Sequence, residues 1–133
     1  MSEENVAIFR QAFDAYNRGD KAAWVGLCDP EYENVPPDEW PEAALIRGPE
    51  AVWDFFVSNM EPWEESSIEL GELIDAGGDK VVAEQRTEVR GRLSGARATW
   101  RYWVVATYRN RKAVRSEWFS ERAEALEAAG LSE

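Results

Sequence analysis

The stretch Thr99–Tyr108, TWRYWVVATY, places large side chains on both faces of a predicted β-strand. With a period of two, Trp100 and Tyr102 share one face with Tyr108, whereas Trp103 and Val105 share the other. A strand with large apolar side chains on both sides needs a partner on each side. We therefore expect one face to cover the core and the other to meet a second surface.

The neighbouring segments extend this strand into a sheet. Residues 80–92 alternate cleanly, and residues 66–76 and 114–120 read as further strands, with Gly71 as a bulge in the first of them. The turn signals are DAGGD at 75–79, LSGA at 93–96 and RNRK at 109–112. The second half of the chain is therefore predicted to be a long antiparallel meander.

The first half of the chain reads mainly as helices. Residues 3–18 carry an apolar stripe, Gly19 ends that helix, and Asp20 caps a short second one. EYENV at 31–35 predicts a short strand, and the proline-rich residues 36–47 predict an irregular rim. A third helix starts at Gly48-Pro49, and RAEALEAAG at 122–130 closes the chain as a short helix. The pattern predicts an α+β fold in one domain, residues 1–133.

The amino-acid composition argues against several classes of function. The 26 acidic and 15 basic residues give a net charge of −11, which argues against nucleic acid and anionic membranes as partners. The single cysteine, Cys28, permits no internal disulfide, and the absence of histidine removes the commonest general base and metal ligand. We expect no metal or cofactor. The N-terminus has no signal-peptide pattern and no apolar run reaches membrane length, so we expect a cytoplasmic protein.

The ordered series AYNRGDKAAWVGLCDPEYE (15–33), IRGPEAVWDFF (46–56), DAGGDKVVAEQRTEVRGRLSG (75–95) and YRNRKAVRSEWFSERAEALEAAGL (108–131) resembles the SnoaL-like branch of the nuclear transport factor 2-like superfamily. The resemblance covers nearly the whole chain. It implies a cone, in which N-terminal helices sit in a strongly curved, mostly antiparallel sheet around a cavity. It also implies a homodimer formed through the outer sheet face.

At the positions where these relatives carry their catalytic acids and bases, this sequence has residues that do not transfer protons. The polyketide cyclases of the superfamily use an Asp–His pair, and the matching positions hold Trp118 and Val104. The ketosteroid isomerase base, an Asp before a proline, is matched by Asn34 and Val35, and its oxyanion tyrosine falls on Ala12. The fold alone therefore assigns no reaction.

Alternation and the resemblance together predict an aromatic, apolar cavity lining with a few neutral hydrogen-bonding groups, as in small-molecule sites. A solid aromatic core is the competing interpretation. The candidate lining residues are Tyr16, Trp24, Tyr32, Asn34, Trp40, Phe55, Gln85, Thr87, Trp100, Tyr102, Val104, Ser116 and Trp118.

The opposite sheet face predicts a second surface. Trp103, Val105 and Phe119 would form an exposed apolar patch, which favours a dimer interface, with cover by the C-terminal helix as the alternative.

Three functions remain open from the sequence. The first is binding of a small apolar or aromatic molecule without catalysis. The second is a cofactor-free isomerase, dehydratase or cyclase that uses Tyr, Asn or a buried carboxylate; Glu33, Glu84 and Glu117 are expected at the surface instead. The third is a non-catalytic dimeric interaction module with a filled core.

Overall fold

The computed structural model describes residues 2–39 and 44–131. Its four helices are α1 (Ser2–Asn17), α2 (Lys21–Gly26), α3 (Pro49–Met60) and α4 (Arg122–Ala128). Its six strands are β1 (Cys28–Val35), β2 (Ile46–Arg47), β3 (Trp63–Asp75), β4 (Lys80–Gly91), β5 (Arg97–Arg109) and β6 (Lys112–Phe119).

The strands form one curved, unclosed mixed sheet in the order β2-β1-β6-β5-β4-β3. All neighbouring strands are antiparallel except β1 and β6, which run parallel. The α+β fold class predicted from the sequence is confirmed. Among the described residues, no helix combines the length and the apolar composition that crossing a membrane requires.

Local sequence signals explain where the elements begin and end. The Asp20 carboxylate accepts a hydrogen bond from the Ala23 N–H at 3.1 Å and so caps α2, as predicted. The two-residue turn between β5 and β6 holds Asn110 and Arg111 at φ values of 53° and 66°, the conformation of a tight hairpin turn. Strand β3 begins at Trp63, three residues earlier than predicted, because its first residues continue the ladder with β4.

The inner sheet face packs against α1 and α2. Ile8 and Phe9 of α1 join Val81, Val104 and Tyr108 in one buried cluster. A second cluster places Trp24 of α2 and Trp53 of α3 against Tyr32 of β1. Helices α1–α3 therefore lie on the concave side of the sheet and leave space between themselves and β3–β6.

The prediction of an exposed patch on the outer sheet face is wrong, and the alternative, cover by the C-terminal helix, is what the structure shows. Trp103 is 4% exposed and Val105 is 0% exposed, and Phe119 is half-buried. Helix α4 folds back over them and places Ala125 and Leu126 in the same cluster. Alternation assigned these side chains to the correct face, but it carries no information about an element that covers that face.

Strand β6 departs from simple alternation at its start. The pairing shifts between Thr107 and Tyr108, so Tyr108 pairs with Ala113 and Thr107 pairs with Arg115. This bulge turns Ala113 toward the helices, whereas strict alternation from Ser116 and Trp118 would place Val114 there. Ser116 and Trp118 keep the predicted inward orientation.

Gly71 lies at the predicted bulge of β3, where the register with β4 shifts between Leu70 and Leu73. A Cβ at this position would lie 2.3 Å from Oε1 of Glu84. Glu84 faces outward, as expected, but its side chain is only 6% exposed. Its carboxylate accepts from the Glu72 N–H at 3.0 Å and pairs with Arg86 and Arg101. The hydrogen bond from that N–H, followed by the Arg86 contact, lowers the pKa of Glu84.

We expect Gly71→Ala to lower the free energy of unfolding by about 1–3 kcal/mol, because the carboxylate of Glu84 is held in place and cannot yield freely. Urea denaturation measures the loss. Gly26→Ala is the matched control, with no atom within 4 Å of the added Cβ and an expected change within about 0.5 kcal/mol. The cost of Gly71→Ala should shrink in a Glu84→Ala background; an unchanged cost there would contradict the clash.

Candidate functional site

A cavity of about 530 Å³ opens between the inner sheet face and helices α1–α3. This volume lies within the range of about 300–1,000 Å³ that is usual for small-molecule sites. The structure therefore has an open hollow where the third hypothesis expected a filled core. Twelve of the thirteen candidate residues line it: Tyr16, Trp24, Tyr32, Asn34, Phe55, Gln85, Thr87, Trp100, Tyr102, Val104, Ser116 and Trp118. The thirteenth, Trp40, lies outside the described residues.

Other lining residues were not among the candidates. Phe13 and Met60 lie on the inner stripes of α1 and α3, a signal that helical periodicity carries. Trp63 belongs to the early part of β3, which the prediction left outside the strand, and Ala113 reaches the cavity through the β6 bulge. The remaining ones are Ile8, Phe9, Ala12, Leu27, Cys28, Pro36, Pro37, Phe56, Asn59, Ile68, Ala106 and Tyr108.

The helical wall of the cavity is aromatic. Trp24 is 6% exposed, and its ring centroid lies 5.7 Å from that of Tyr32 and 6.2 Å from that of Phe56. Phe56 also contacts Trp118 edge to face at 6.1 Å and Tyr16 at 6.0 Å. Such edge contacts fix ring orientations and leave flat faces and edges for an apolar ligand.

Polar groups gather at one end of the cavity, on β1 and β6. The hydroxyls of Tyr32 and Ser116 share a hydrogen bond of 2.6 Å. The indole N–H of Trp118 donates to Oδ1 of Asn34 at 2.7 Å. Asn34 and Ser116 are paired across the two parallel strands, which brings both polar pairs into neighbouring positions.

The other end of the cavity is formed by Trp63 and Trp100, whose ring centroids are 5.8 Å apart. Trp100 lies six residues before Ala106 on β5, and Ala106 is the cross-strand partner of Ser116. At about 3.3 Å per residue, the two ends are separated by at most ~20 Å along the strand. Gln85 and Tyr102 pair across β4 and β5 between these ends.

The cavity is electrically neutral over the described part of its wall. No Asp, Glu, Lys or Arg is found among the described lining residues. Burial raises the pKa of the Tyr16, Tyr32 and Tyr108 hydroxyls and raises that of the Cys28 thiol to about 12. These four groups are therefore uncharged near neutral pH. Across residues 2–39 and 44–131, no group of three or more His, Cys, Asp or Glu side chains could hold a metal ion.

The three glutamates considered as possible general bases lie outside the cavity. Glu33 pairs with Arg115 and with Arg47 at 3.5 Å. Glu117 contacts Arg115 at 3.4 Å, and Glu84 is held on the outer face as described above. Because each pairs with arginine and none lines the cavity, the structure does not bring them to the site.

We expect the protein to lose stability as the pH rises above about 9. The folded state keeps the buried Cys28 thiol protonated up to about pH 12, whereas its ordinary pKa is 9.0. The unfolded chain therefore releases this proton first, and the stabilisation present below pH 9 declines with rising pH. Cys28 should contribute a loss of about 2 kcal/mol between pH 9 and 10.5.

Urea denaturation at several pH values measures this decline. Cys28→Ala should reduce the slope between pH 9 and 10, and the buried tyrosines, whose ordinary pKa is 10.0, should supply the slope that remains. An identical slope in the variant would contradict a buried, protonated thiol.

Many solved structures are similar to this fold, including the following three. A nuclear transport factor 2-like protein of unknown function from Burkholderia pseudomallei is 21% identical, with a TM-score of 0.75 over 93% of this chain and 95% of its own. TerC, co-crystallised with polyporic acid, is 21% identical, with a TM-score of 0.74 over 96% and 98%. A protein described as a candidate SnoaL-like polyketide cyclase, from a Jannaschia species, is 16% identical, with a TM-score of 0.76 over 98% and 94%.

These identities are low, so the structural similarity establishes the fold and no activity. Among curated proteins, none matches this sequence. The sequence of residues 9–116 matches the SnoaL-like domain family. That match spans most of the chain and agrees with the curved sheet, the helices on its concave side and the cavity between them. The chain belongs to the SnoaL-like domain family.

Proposed function

We propose that this protein binds a small, neutral, aromatic or apolar molecule in the cavity. The observation that carries the proposal is an uncharged, aromatic lining around about 530 Å³ of space. Maintaining a hollow of this size forgoes packing that larger side chains would supply, which is a cost to stability. A ligand that fills the hollow restores those contacts.

The chemistry of the lining favours binding over catalysis. Proton transfer near neutral pH needs a group with a pKa near the working pH. Burial moves the pKa values of Tyr16, Tyr32, Tyr108 and Cys28 further above neutrality, and the carboxylates considered from the sequence lie outside the cavity. No specific observation favours the isomerase, dehydratase or cyclase alternative.

TerC, which has a similar fold, was co-crystallised with polyporic acid, so small-molecule binding is compatible with a chain of this fold. At 21% identity this likeness bears on the fold, so it does not select a ligand for this chain. The class of ligand is argued from the lining residues alone.

A thermal-shift screen with neutral one- to four-ring aromatic compounds tests the proposal. A ligand at 100 times its Kd stabilises the folded state by about 2.7 kcal/mol, which should raise the Tm by roughly 5 °C or more. No stabilisation by any compound of the panel would overturn the proposal.

Two variants on α1 show whether a bound compound occupies the cavity. Ala12 lines the cavity, so Ala12→Phe should fill part of it and weaken binding at least 10-fold. Ala7 lies on the exposed side of the same helix, and Ala7→Phe should leave binding unchanged. Equal binding to both variants would place the compound elsewhere.

A second copy of the chain is the other proposed partner, supported by the family resemblance. Because α4 covers Trp103 and Val105, an interface on this side would have to use α4 and the charged residues beside it. Light scattering should give twice the chain mass of 15.1 kDa. A mass of one chain at micromolar concentration would overturn the dimer and would leave the ligand proposal unaffected.

A further inference from the structure

The side-chain amide of Asn34 is buried at the polar end of the cavity. Asn34 lies on β1, is 1% exposed and lines the cavity. A buried amide group normally has hydrogen-bond partners for both its oxygen and its nitrogen. The hydrogen bonds of this amide therefore indicate which kind of ligand group fits this end of the cavity.

The contact with Trp118 fixes the orientation of this amide. An indole N–H donates hydrogen bonds and never accepts them. The atom of Asn34 that lies 2.7 Å from the Trp118 nitrogen must therefore be the oxygen, Oδ1. Rotating the amide by 180° would set two donors against each other, so the nitrogen, Nδ2, is held on the opposite side.

Among the hydrogen bonds of the described residues, those of Asn34 use its oxygen, and Nδ2 is not fully enclosed by protein. It faces the cavity that Asn34 lines. A ligand that displaces water from Nδ2 without supplying an acceptor leaves a buried N–H donor unpaired, which costs free energy of the order of a lost hydrogen bond. A ligand with an acceptor at this point avoids that cost. Gln85, by contrast, is only half-buried, and Ser116 is already paired with Tyr32.

The neutral lining limits which acceptor fits. A carboxylate would be buried among uncharged groups with no cation among the described lining residues, which is strongly unfavourable. A hydrocarbon would leave Nδ2 unpaired. A carbonyl oxygen carries no net charge and accepts strongly, so it meets both conditions.

We propose that Asn34 Nδ2 donates a hydrogen bond to the carbonyl oxygen of a neutral aromatic ketone, which makes Asn34 the residue that determines ligand polarity. This inference rests on the proposed function and narrows its ligand class. The aromatic part lies beside Phe56, whose ring contacts Trp118 at 6.1 Å, and extends toward Trp63 and Trp100.

Three naphthalenes of nearly equal shape test the inference in the wild-type protein. They are 2-acetylnaphthalene, which has the carbonyl; 2-isopropenylnaphthalene, in which a CH₂ group replaces the carbonyl oxygen; and 2-naphthoate, which is charged. Titration calorimetry should give a Kd for the ketone about 5-fold or more lower than for the hydrocarbon. The carboxylate should bind at least 10-fold more weakly than the ketone.

Infrared difference spectra report the hydrogen bond directly. With a ¹³C-labelled carbonyl, the C=O stretch of bound 2-acetylnaphthalene should lie at lower wavenumber than in hexane. Asn34→Asp keeps an oxygen for Trp118 and replaces Nδ2 by a second oxygen. When its carboxyl is ionised, this variant should remove the shift and weaken ketone binding about 10-fold or more. Asn17→Asp, at the exposed end of α1, should change neither.

The outcomes separate this inference from the proposed function. Equal affinity for the ketone and the hydrocarbon, or an unshifted carbonyl band, overturns the role of Asn34 while aromatic binding stands. If none of the three binds and the wider aromatic panel also fails, the proposed function falls and this inference with it. If Asn34→Asp does not fold, the affinity ratio and the infrared band of the wild type still decide.

Discussion

We expect Trp24→Ala to lower the free energy of unfolding by about 3–5 kcal/mol. Its indole is 6% exposed and lies 5.6 Å from Trp53 and 5.7 Å from Tyr32, measured between ring centroids. Truncation removes these contacts and enlarges a hollow that is already open, so the neighbouring rings cannot close the gap. Because such a loss is a large share of a typical domain's stability, the urea midpoint should fall sharply.

Trp100→Ala is the control for this substitution. Trp100 also lines the cavity, but it is only half-buried at the Trp63 end. Its loss should lower the free energy of unfolding by about 1 kcal/mol and should weaken ligand binding more than it weakens the fold. Similar losses of stability in the two variants would contradict the conclusion that the helical wall at Trp24 is tightly packed and the end at Trp100 is more open.

We expect Gln85→Glu to weaken the binding of neutral aromatic ligands at least 10-fold at pH 8. The substitution keeps the shape of a lining side chain and introduces a carboxylate into a cavity with no charged group among its described residues. A ligand that covers this carboxylate must remove it from water without a compensating cation. Burial should also raise the pKa of the new carboxyl, so binding should recover as the pH is lowered.

Titration calorimetry from pH 5 to 8 measures this effect, with Gln11→Glu as the control. Gln11 is exposed on α1, so the same change of charge there should leave affinity unchanged at every pH. Loss of binding that does not recover at low pH would indicate a shape effect and would contradict the electrostatic explanation.

The sequence is informative where the physical cause of a feature is local. Alternation along residues 80–92 and 99–108 is a property of each strand, and it predicts which side chains line the cavity. Asp20 at a helix start and Gly71 at a bulge are also local signals. The parallel pairing of β1 with β6 joins residues about eighty positions apart, and no short pattern encodes it.

Two features, one on the outer sheet face and one in the cavity, could not be decided from the sequence for the same reason. Whether Trp103 is exposed depends on where α4 packs, which is a tertiary property. The pairing of Asn34 with Trp118 depends on the β1–β6 register. The sequence predicted both Asn34 and Trp118 as cavity-lining residues. The orientation of the Asn34 amide follows only from the contact between these two side chains, which the structure shows.

The most direct measurement compares the wild-type affinity for 2-acetylnaphthalene and for 2-naphthoate from pH 6 to 8.5. Both probes have nearly the same shape, and only the second is charged. A neutral cavity predicts that the ketone binds at least 10-fold more tightly, with a Kd that does not change across this range. Carboxylate binding as tight as ketone binding, or a ketone Kd that follows a titration between pH 6 and 8.5, would contradict it.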